Sequence, residues 1–319
     1  MPQQDPAANV EVQVTHSTVN YKDGMILRGQ RGVVRNWPIV PGIDFAGVVR
    51  HSHSKLFSEG DAVVLTGNKA GQHFDGGFSE RATCQAEWLV PIPPTFDTVD
   101  AMTIGSAGFT AMQCISNLEV AGGIRPGDGR ILVTGAAGGL GQMAITLLAA
   151  KGYEVVASTG RIELGAHLTR LGASEVIGRL PAADKPLAAQ LWSGVIDSVG
   201  GSTLAAALAS TSYRGAIASA GVAGGGILES TVYPFILRGV RLLGVDATLP
   251  WNVQGFPADP ALWRKWRKER LELWAELAAL LTTERLALMR SRCIGLDELR
   301  RVADAIVVGK VAGRVVVKV

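Results

Sequence analysis

The sequence predicts an α/β protein with a doubly wound parallel sheet in the middle of the chain and a β-rich part around it. The chain has 319 residues, of which 47% are hydrophobic and 18% are charged, so it is long enough for about two domains with large cores. Its 39 glycines and 6% aromatic residues suit tight turns between strands and helices. Near Ala101 the pattern changes from short alternating apolar runs to alternating strands and helices.

The first part, up to about Trp88, has a β-rich pattern. Short apolar runs are separated by turns that contain glycine. The predicted strands are Val10–Val19, Phe45–Arg50, Ala62–Thr66 and Ser79–Thr83. The two prolines of Ile92-Pro93-Pro94 then predict a stiff connector, because each fixes φ and lacks an amide donor.

The middle of the chain alternates between strands and helices. The predicted helices are Ala107–Leu118, Gly139–Lys151 and Ile162–Leu171. The predicted strands are Arg130–Thr134, Glu154–Ala157, Val176-Ile177, Val195-Ile196, Ile217-Ala218 and Leu242–Val245. Repeated βα units require a parallel sheet with right-handed crossovers.

After Pro250 the sequence predicts a long packing helix, with Asp259 as its cap and Pro260 at its first position. Arg and Lys are expected on one side of this helix and apolar residues on the other. The apolar side holds Trp263, Trp266, Trp274, Leu277 and Leu281. A further helix is predicted over Leu296–Val308, and a last strand over Val315–Val319.

The strongest chemical signal is the glycine-rich turn Gly135–Gly141, which follows the predicted strand Arg130–Thr134 and leads into the predicted helix Gly139–Lys151. Such a turn brings the backbone close to a pyrophosphate, and the helix N-terminus supplies amides and a positive dipole. The flanking strands and helix give it the context of a Rossmann dinucleotide site. The alternative is a tight βα turn without a ligand. The predicted cofactor contacts are Gly138, Gly139, Leu140 and Gly141.

The end of the second strand indicates which nicotinamide cofactor binds. Arg161 lies 20 residues after Gly141, and no acid occurs between Val155 and Ile162. An NAD site needs an acid here for the ribose hydroxyls, whereas an NADP site needs small hydroxyls and a guanidinium for the 2′-phosphate. We therefore predict NADPH. The predicted contacts are Thr159, Gly160 and Arg161, and the alternative is a solvated arginine in a loop.

Two later segments are predicted to lie at the same edge of the sheet. Gly221–Gly226 follows a strand, so Gly221 and Val222 are expected to approach the nicotinamide, unless this is only a flexible loop. Asp197 ends another strand and is either a cofactor contact or a loop cap. Both interpretations remain open at this point.

Five motifs extend over nearly the whole chain in the order found in one enzyme family. They are Asn20-Tyr21-Lys22-Asp23, Pro41–Gly47, Gly105–Ala111, the glycine-rich turn and Gly309–Arg314. With these motifs the chain is identified as a member of the zinc-free medium-chain dehydrogenase/reductase superfamily. Arg35-Asn36-Trp37-Pro38 and Pro234–Arg238 are similar, more narrowly, to bacterial NADPH-dependent acryloyl-CoA reductases, whose close relatives are often labelled quinone oxidoreductase-like.

The resemblance implies a GroES-like catalytic domain of residues 1–104 and 250–319, around a dinucleotide-binding domain of residues 105–249, with the active site in the cleft between them. It implies catalytic roles for Asn20 and Tyr21, the latter beside the nicotinamide, and cofactor contacts for Thr110 and Arg314. The alternatives are a buried Tyr21 with one satisfied hydroxyl and an Arg314 on a surface strand. Asp23 is expected to cap a helix, and Cys114 to be a core residue.

The implied reaction is NADPH-dependent reduction of a short 2-enoyl-CoA, acryloyl-CoA by resemblance. Hydride adds to the β-carbon, the thioester carbonyl takes up the charge, and the α-carbon is then protonated. The alternatives are a quinone or enone reductase and a non-catalytic NADPH-binding protein. No metal is expected, because Ile43 stands where the zinc-dependent relatives carry a histidine. A homodimer is expected.

Charge and cysteine content exclude several other classes. Lys plus Arg (31) against Asp plus Glu (28) gives +3, too little to predict binding to nucleic acid or an anionic membrane. Three scattered cysteines predict no disulfide framework and therefore a reducing compartment. No secretion signal is expected from Met1–Val10, and no apolar stretch approaches the roughly 18 residues that span a bilayer. We therefore expect a cytoplasmic protein.

Overall fold

The computed structural model describes residues 5, 7–34, 37–247 and 260–319. The chain divides into a first unit of residues 1–109 and 248–319 and a second unit of residues 110–247. Arg35 and Asn36, together with the predicted helix cap Asp259, lie outside the described residues, as does the side chain of Trp263.

The elements are numbered in chain order. The strands are β1 (Val10–Thr18), β2 (Asp44–Ser52), β3 (Ala62–Thr66), β4 (Arg81–Cys84), β5 (Val90–Pro91), β6 (Ile131–Val133), β7 (Val155–Ser158), β8 (Glu175–Ile177), β9 (Trp192–Asp197), β10 (Thr211–Ser219), β11 (Arg241–Gly244), β12 (Arg290–Ile294) and β13 (Arg314–Lys318). The helices are α1 (Tyr21–Leu27), α2 (Thr98–Val120), α3 (Gly139–Ala150), α4 (Gly165–Leu171), α5 (Gly201–Ser210), α6 (Tyr233–Arg238), α7 (Pro260–Leu280), α8 (Thr283–Met289) and α9 (Leu299–Val307). No helix of the described residues combines the length and the apolar content needed to cross a bilayer.

The first unit is built on a mixed sheet in the order β12-β13-β1-β2-β3-β5, with β4 also paired to β1. Strand β1 runs antiparallel to β2, β4 and β13, whereas β12 and β13 are parallel. Alternate residues of β1 are buried, and Val10, Val12 and Val14 pack with Phe45 and Leu65 in the core. The predicted β-rich part is therefore present, and its C-terminal strands complete the same sheet.

Helix α1 begins where β1 ends and is held closely against α9. A Cβ built on Gly24 would lie 2.6 Å from Ile306 Cγ2 and 2.9 Å from Val307 Cγ2, so glycine lets the two helices approach. Asp23 Oδ2 accepts a hydrogen bond from the Asn20 amide at 2.9 Å. The predicted capping role of Asp23 is confirmed.

The second unit contains the predicted parallel sheet, in the order β11-β10-β9-β6-β7-β8. When β6 is counted as the first strand, this is the 3-2-1-4-5-6 order of a Rossmann fold. Leu132, Val195 and Ile217 from neighbouring strands pack against Leu204 and Leu208 of α5. The prediction of a doubly wound sheet is confirmed.

Several element boundaries differ from the sequence prediction. Helix α2 begins at Thr98 rather than at Ala107, because Asp97 Oδ1 accepts the Asp100 amide at 2.7 Å and caps the helix. It is kinked at Gly105, whose φ of 49° and ψ of −159° are not helical. The predicted helix Ile162–Leu171 divides into a 3₁₀ turn and α4. The sequence prediction gave no range for α1, α5, α6, α8, β5 or β12.

Candidate active site

The glycine-rich turn has the geometry of a phosphate-binding loop. Gly135 has a φ of 60°, and α3 has Gly138 as its N-cap, without a capping side chain. A Cβ on Gly141 would lie 2.5 Å from the Gly135 carbonyl oxygen and 2.6 Å from Ala136 Cα, so only glycine fits. A Cβ on Gly138 would meet only the Gly135 carbonyl oxygen, at 3.2 Å. The amides at the start of α3 are therefore free of a side-chain cap, as a bound phosphate requires.

Two guanidinium groups border the end of β7. Thr159 is buried, and its Oγ1 accepts the Arg161 amide at 3.0 Å. Arg161 is half-buried, and burial lowers the pKa of its guanidinium. A Cβ on Gly160 would lie 2.9 Å from Nη2 and 3.0 Å from Cζ of Arg179, so this second guanidinium lies against the Gly160 backbone. The Arg179 guanidinium beside the Gly160 backbone, with Arg161 as the next residue in the chain, suits a phosphate dianion.

Arg179 was not among the residues predicted from the sequence. The signal was present, because Arg179 follows β8, the neighbour of β7, and the carboxyl ends of parallel strands share one edge of the sheet. A search of the residues after every strand, rather than after the second strand alone, would have found it.

Asp197 and Gly221 fix the middle of the same edge. The buried Asp197 carboxylate accepts hydrogen bonds from Thr134 Oγ1 at 2.6 Å and from the Gly200 amide at 2.8 Å. Burial raises the pKa of Asp197, and these hydrogen bonds oppose that rise. A Cβ on Gly221 would overlap the Ser198 carbonyl, so the two loops approach closely. The loop-cap interpretation of Asp197 is confirmed.

In the first unit, Tyr21 opens α1 and is 36% exposed. The alternative of a buried tyrosine is therefore wrong. The preceding residue, Asn20, is buried, and its Nδ2 donates to Asp44 Oδ2 at 2.9 Å and to Asp23 Oδ2 at 3.2 Å. Its Oδ1 accepts Nη1 of Arg314 at 3.1 Å. Both the Nδ2 and the Oδ1 of Asn20 are therefore hydrogen-bonded, and Asn20 is the residue before Tyr21 in the chain.

Asp44 joins three parts of the first unit. Its Oδ1 accepts the Ser106 hydroxyl at 2.5 Å and the Gly67 amide at 3.1 Å. Its Oδ2 accepts the Ser106 amide at 2.7 Å, in addition to Asn20. A Cβ on Gly105 would lie 2.9 Å from Asp44 Oδ2, so the kink in α2 makes room for this carboxylate.

Arg314 lies in the interior of the first unit, at 3% exposure, rather than on the surface of a strand as the alternative proposed. Its Nε donates to the Thr103 carbonyl at 2.9 Å, and its Nη2 donates to Thr18 Oγ1 at 3.0 Å. Burial lowers the pKa of Arg314, while the charges of Asp44 and Asp23 raise it. Through these contacts Arg314 joins α2, β1 and Asn20 inside the first unit.

The buried cluster contains two carboxylates and two guanidiniums. Burial and the charge of Asp44 raise the pKa of Asp23 to about 7, although the Asn20 and Ile43 amides donate to it. The second guanidinium is Arg270, buried on α7, where burial lowers its pKa to about 10. The basic residues of this helix were predicted to lie opposite its apolar side, and for Arg270 this prediction is wrong.

Two further predicted residues lie in α2. Thr110 is buried, and Cys114 is fully buried, so that burial raises the pKa of its thiol. The interpretation of Cys114 as a core residue is confirmed. All the cofactor contacts that the sequence predicts stay predictions, in the glycine-rich turn and at Thr159, Gly160 and Arg161 as well as at Tyr21, Thr110, Asp197, Gly221, Val222 and Arg314.

Across the ranges that the structure describes, no three or more His, Cys, Asp or Glu side chains come together as a metal site. At the position of the histidine of the zinc-dependent relatives, the Ile43 amide donates to Asp23 Oδ1 at 2.9 Å. The backbone here supports the buried carboxylate cluster.

Two family models match the chain. The alcohol dehydrogenase GroES-like domain matches residues 6–94, and the zinc-binding dehydrogenase matches residues 139–254. The chain is 43% identical to acrylyl-CoA reductase AcuI of Ruegeria pomeroyi, over 98% of this chain and 91% of that protein.

Two solved structures have the same fold over nearly the whole chain. The YhdH oxidoreductase of Salmonella enterica, in complex with NADP, is 42% identical with a TM-score of 0.90, over 99% of this chain and 93% of that one. The YhfP protein of Bacillus subtilis, with NAD bound, is 40% identical with a TM-score of 0.87, over 98% of this chain and 92% of that one.

Proposed function

Since the chain belongs to the medium-chain dehydrogenase/reductase superfamily, in its acrylyl-CoA reductase (quinone oxidoreductase-like) branch, we propose that it reduces the C=C bond of a short 2-enoyl-CoA with NADPH. The resemblance stated from the sequence is confirmed, and so is the pairing of a Rossmann domain with a GroES-like domain. The relation to the Ruegeria enzyme favours acryloyl-CoA as substrate and propanoyl-CoA as product.

The observation that carries the choice of cofactor is the Arg179 guanidinium, which lies against the Gly160 backbone, next to Arg161 in the chain. One similar structure holds NADP and another holds NAD, so the nucleotide has to be argued from this chain's own residues. Arg161 and Arg179 would bind the 2′-phosphate, and the amides of Gly138–Gly141 would bind the pyrophosphate. When bound, NADPH supplies the hydride.

Tyr21 is the group that we assign to the substrate. Within the described residues its hydroxyl forms no hydrogen bond, and the ring is partly exposed at the first position of α1. A phenol so placed can donate to the oxygen that gains negative charge as the thioester becomes an enolate. Asn20 holds the start of the helix through its three side-chain hydrogen bonds.

The proposal is tested by following the oxidation of NADPH and of NADH with acryloyl-CoA, crotonyl-CoA and a small quinone in parallel. We expect turnover with acryloyl-CoA and NADPH. Tyr21→Phe should lower kcat about 100-fold, since one donor to a developing oxyanion is lost, with little change in the KM of NADPH. Tyr213→Phe, which changes an exposed tyrosine of the second unit, is the matched control. Quinone turnover with silent thioesters would replace the proposal by the quinone reductase alternative.

A homodimer that forms through the second unit is part of the proposal. Strand β11 pairs only with β10 among the described residues, so its other edge is open to a strand of a second copy. Beside it α6 exposes Tyr233, Ile236 and Leu237. Sedimentation equilibrium should give twice the 33.5 kDa of the chain, and Ile236→Lys should shift it towards the monomer.

We place the enzyme in the cytoplasm. Cys84, Cys114 and Cys293 are free thiols, and Cys293 is exposed. Free thiols of this kind favour a reducing compartment.

A further inference from the structure

Arg270 occupies a place where arginine is costly. It lies on α7 in register with Trp274, Leu277 and Leu281, on the side of the helix that faces the core, and is 3% exposed. Removing a guanidinium from water is unfavourable unless hydrogen bonds and opposite charge compensate. An aliphatic side chain would satisfy the packing of this stripe, so the arginine needs another explanation.

The contacts of Arg270 lead towards Asp44. Its Nη2 donates to the Thr66 carbonyl at 2.8 Å and to Thr66 Oγ1 at 2.5 Å. Its Cζ lies 4.8 Å from the centroid of the Phe109 ring, within cation–π range. Its Nε and Nη1 have no hydrogen-bond partner among the described residues, and no carboxylate there forms an ion pair with it. The negative charge of Asp44 opposes the lowering of the Arg270 pKa by burial.

A single peptide group connects Arg270 to that carboxylate. The Thr66–Gly67 peptide accepts the guanidinium at its carbonyl, and its N–H is shared between the Ile43 carbonyl at 2.8 Å and Asp44 Oδ1 at 3.1 Å. Hydrogen bonds in series polarise one another in a low-dielectric interior. Asp44 Oδ2 in turn accepts Asn20 Nδ2, and Tyr21 is the next residue. The path from Arg270 to the start of α1 is therefore continuous.

We propose that Arg270 is a positioning residue of the reaction, which fixes Tyr21 through the Thr66–Gly67 peptide, Asp44 and Asn20. The inference rests on the proposed function only for the role of Tyr21. Without Arg270, Asp44 loses the attraction of one buried guanidinium and keeps that of Arg314, and the Thr66 carbonyl loses its charged donor. The start of α1 then becomes less well defined, while the nucleotide site, which lies in the second unit, keeps its residues.

Arg267 provides the matched control. It lies almost one turn earlier on α7, donates Nη1 to the Leu89 carbonyl at 2.9 Å and has its Cζ 5.7 Å from the centroid of the Phe57 ring. It therefore repeats the backbone bond and the ring contact of Arg270 without the link to Asp44. A loss that arises only from helix packing would appear in both variants.

The kinetic test compares Arg270→Met, Arg270→Lys and Arg267→Met. We expect Arg270→Met to lower kcat about 10- to 100-fold, because a misplaced group loses its effective concentration, with the KM of NADPH unchanged. Arg270→Lys, which keeps the charge and one donor, should recover part of that loss. Arg267→Met should retain the kcat of the wild type. Equal losses at positions 267 and 270, or a change in KM alone, would overturn the proposal.

A second readout does not depend on the acceptor. The chain has four tyrosines, so the full-length protein labelled with 3-fluorotyrosine should give four ¹⁹F signals, of which Tyr21→Phe identifies one. Arg270→Met should shift the Tyr21 signal, and Arg267→Met should leave it in place. An unmoved Tyr21 signal refutes the positioning role even if acryloyl-CoA proves not to be the substrate.

Thr66→Val keeps the test decisive if Arg270→Met does not fold. It removes the hydroxyl acceptor of Arg270 and retains the carbonyl and the volume of the side chain. A smaller shift of the Tyr21 signal, with a smaller loss of kcat, is expected. A Thr66→Val protein that keeps both the wild-type signal and the wild-type kcat contradicts the path through Thr66.

Discussion

Replacing the two arginines at Gly160 by alanine, singly and together, separates recognition of the 2′-phosphate from recognition of the rest of the nucleotide. NADPH and NADH differ only in that phosphate. If Arg161 and Arg179 bind it, each substitution weakens the use of NADPH and leaves the use of NADH unchanged. A substitution that disturbs the fold of the second unit would weaken both.

The expected size of the effect follows from the surroundings of each guanidinium. A hydrogen bond to a charged group contributes roughly 1.5–3 kcal/mol, which corresponds to about 10- to 150-fold in KM. Arg179 is exposed, so water and salt screen its charge, and we expect about 10-fold for Arg179→Ala. Arg161 is half-buried, so its loss should lie nearer the upper value. Because both contact one group, the double variant should lose less than the product of the two factors.

The assay measures KM and kcat for NADPH and for NADH with the same acceptor, at low and at high salt. Arg170→Ala is the control, since Arg170 is an exposed arginine on the neighbouring helix α4. Its KM values should match those of the wild type. Equal weakening of NADPH and NADH by Arg179→Ala, or an unchanged KM of NADPH, would refute the assignment of this guanidinium to the phosphate.

Three further predictions concern single positions. Gly141→Ala should abolish NADPH binding, measured by fluorescence titration, because its Cβ would lie 2.5 Å from the Gly135 carbonyl oxygen; retained binding would contradict this. Gly47→Ala should lower the free energy of unfolding in urea by at least about 2 kcal/mol, because its Cβ would overlap the Gln13 carbonyl on β1; an unchanged midpoint would contradict it. Asp23 has its pKa raised by burial to about 7 in the folded state, from 3.8, so the native protein binds its proton more tightly than the unfolded chain. The free energy of unfolding should therefore fall as pH rises from about 4 to about 7, by at most about 4 kcal/mol, and Asp23→Asn should flatten that slope.

The nucleotide-binding half of the molecule could be predicted from local signals. Alternation of strands and helices predicts the parallel sheet, and Gly141 needs to be glycine because of its contacts with Gly135 and Ala136 in the same turn. The place of Arg161 follows in the same way from the length of one βα unit. Arg179 follows β8, in the next βα unit along the chain. Its proximity to Gly160 depends on the pairing of β7 with β8 in the sheet. That pairing is a property of the topology, so the pattern around either strand alone does not contain it.

The start of a helix was predicted wrongly where a single capping side chain determines it. Helix α2 gains its first turns because Asp97 caps it, although the apolar pattern becomes regular only near Ala107. Helix α1 has 7 residues, too few to be stable alone, and its sequence has no apolar period of its own. Such elements exist because tertiary contacts select them.

The role of Tyr21 was predicted from the family resemblance and not from the hydrophobic pattern of the sequence, and the buried charges near it show why. Asp23, Asp44, Arg270 and Arg314 come from four elements, and the printed sequence gives no reason to bring any two of them together. A charged residue considered without its partners is predicted to be exposed, because an unpaired buried charge is unfavourable. For this reason the sequence predicted Arg270 on the wrong side of α7. Once the four are combined, the opposite charges reduce the cost of burying one another, although Asp44 still disfavours the charged form of Asp23. The short helix α1 is fixed at Asn20 by the hydrogen bonds of this cluster. The stability of the first unit and the placement of its exposed phenol therefore depend on the same set of contacts, and substitutions in this cluster should alter the two together.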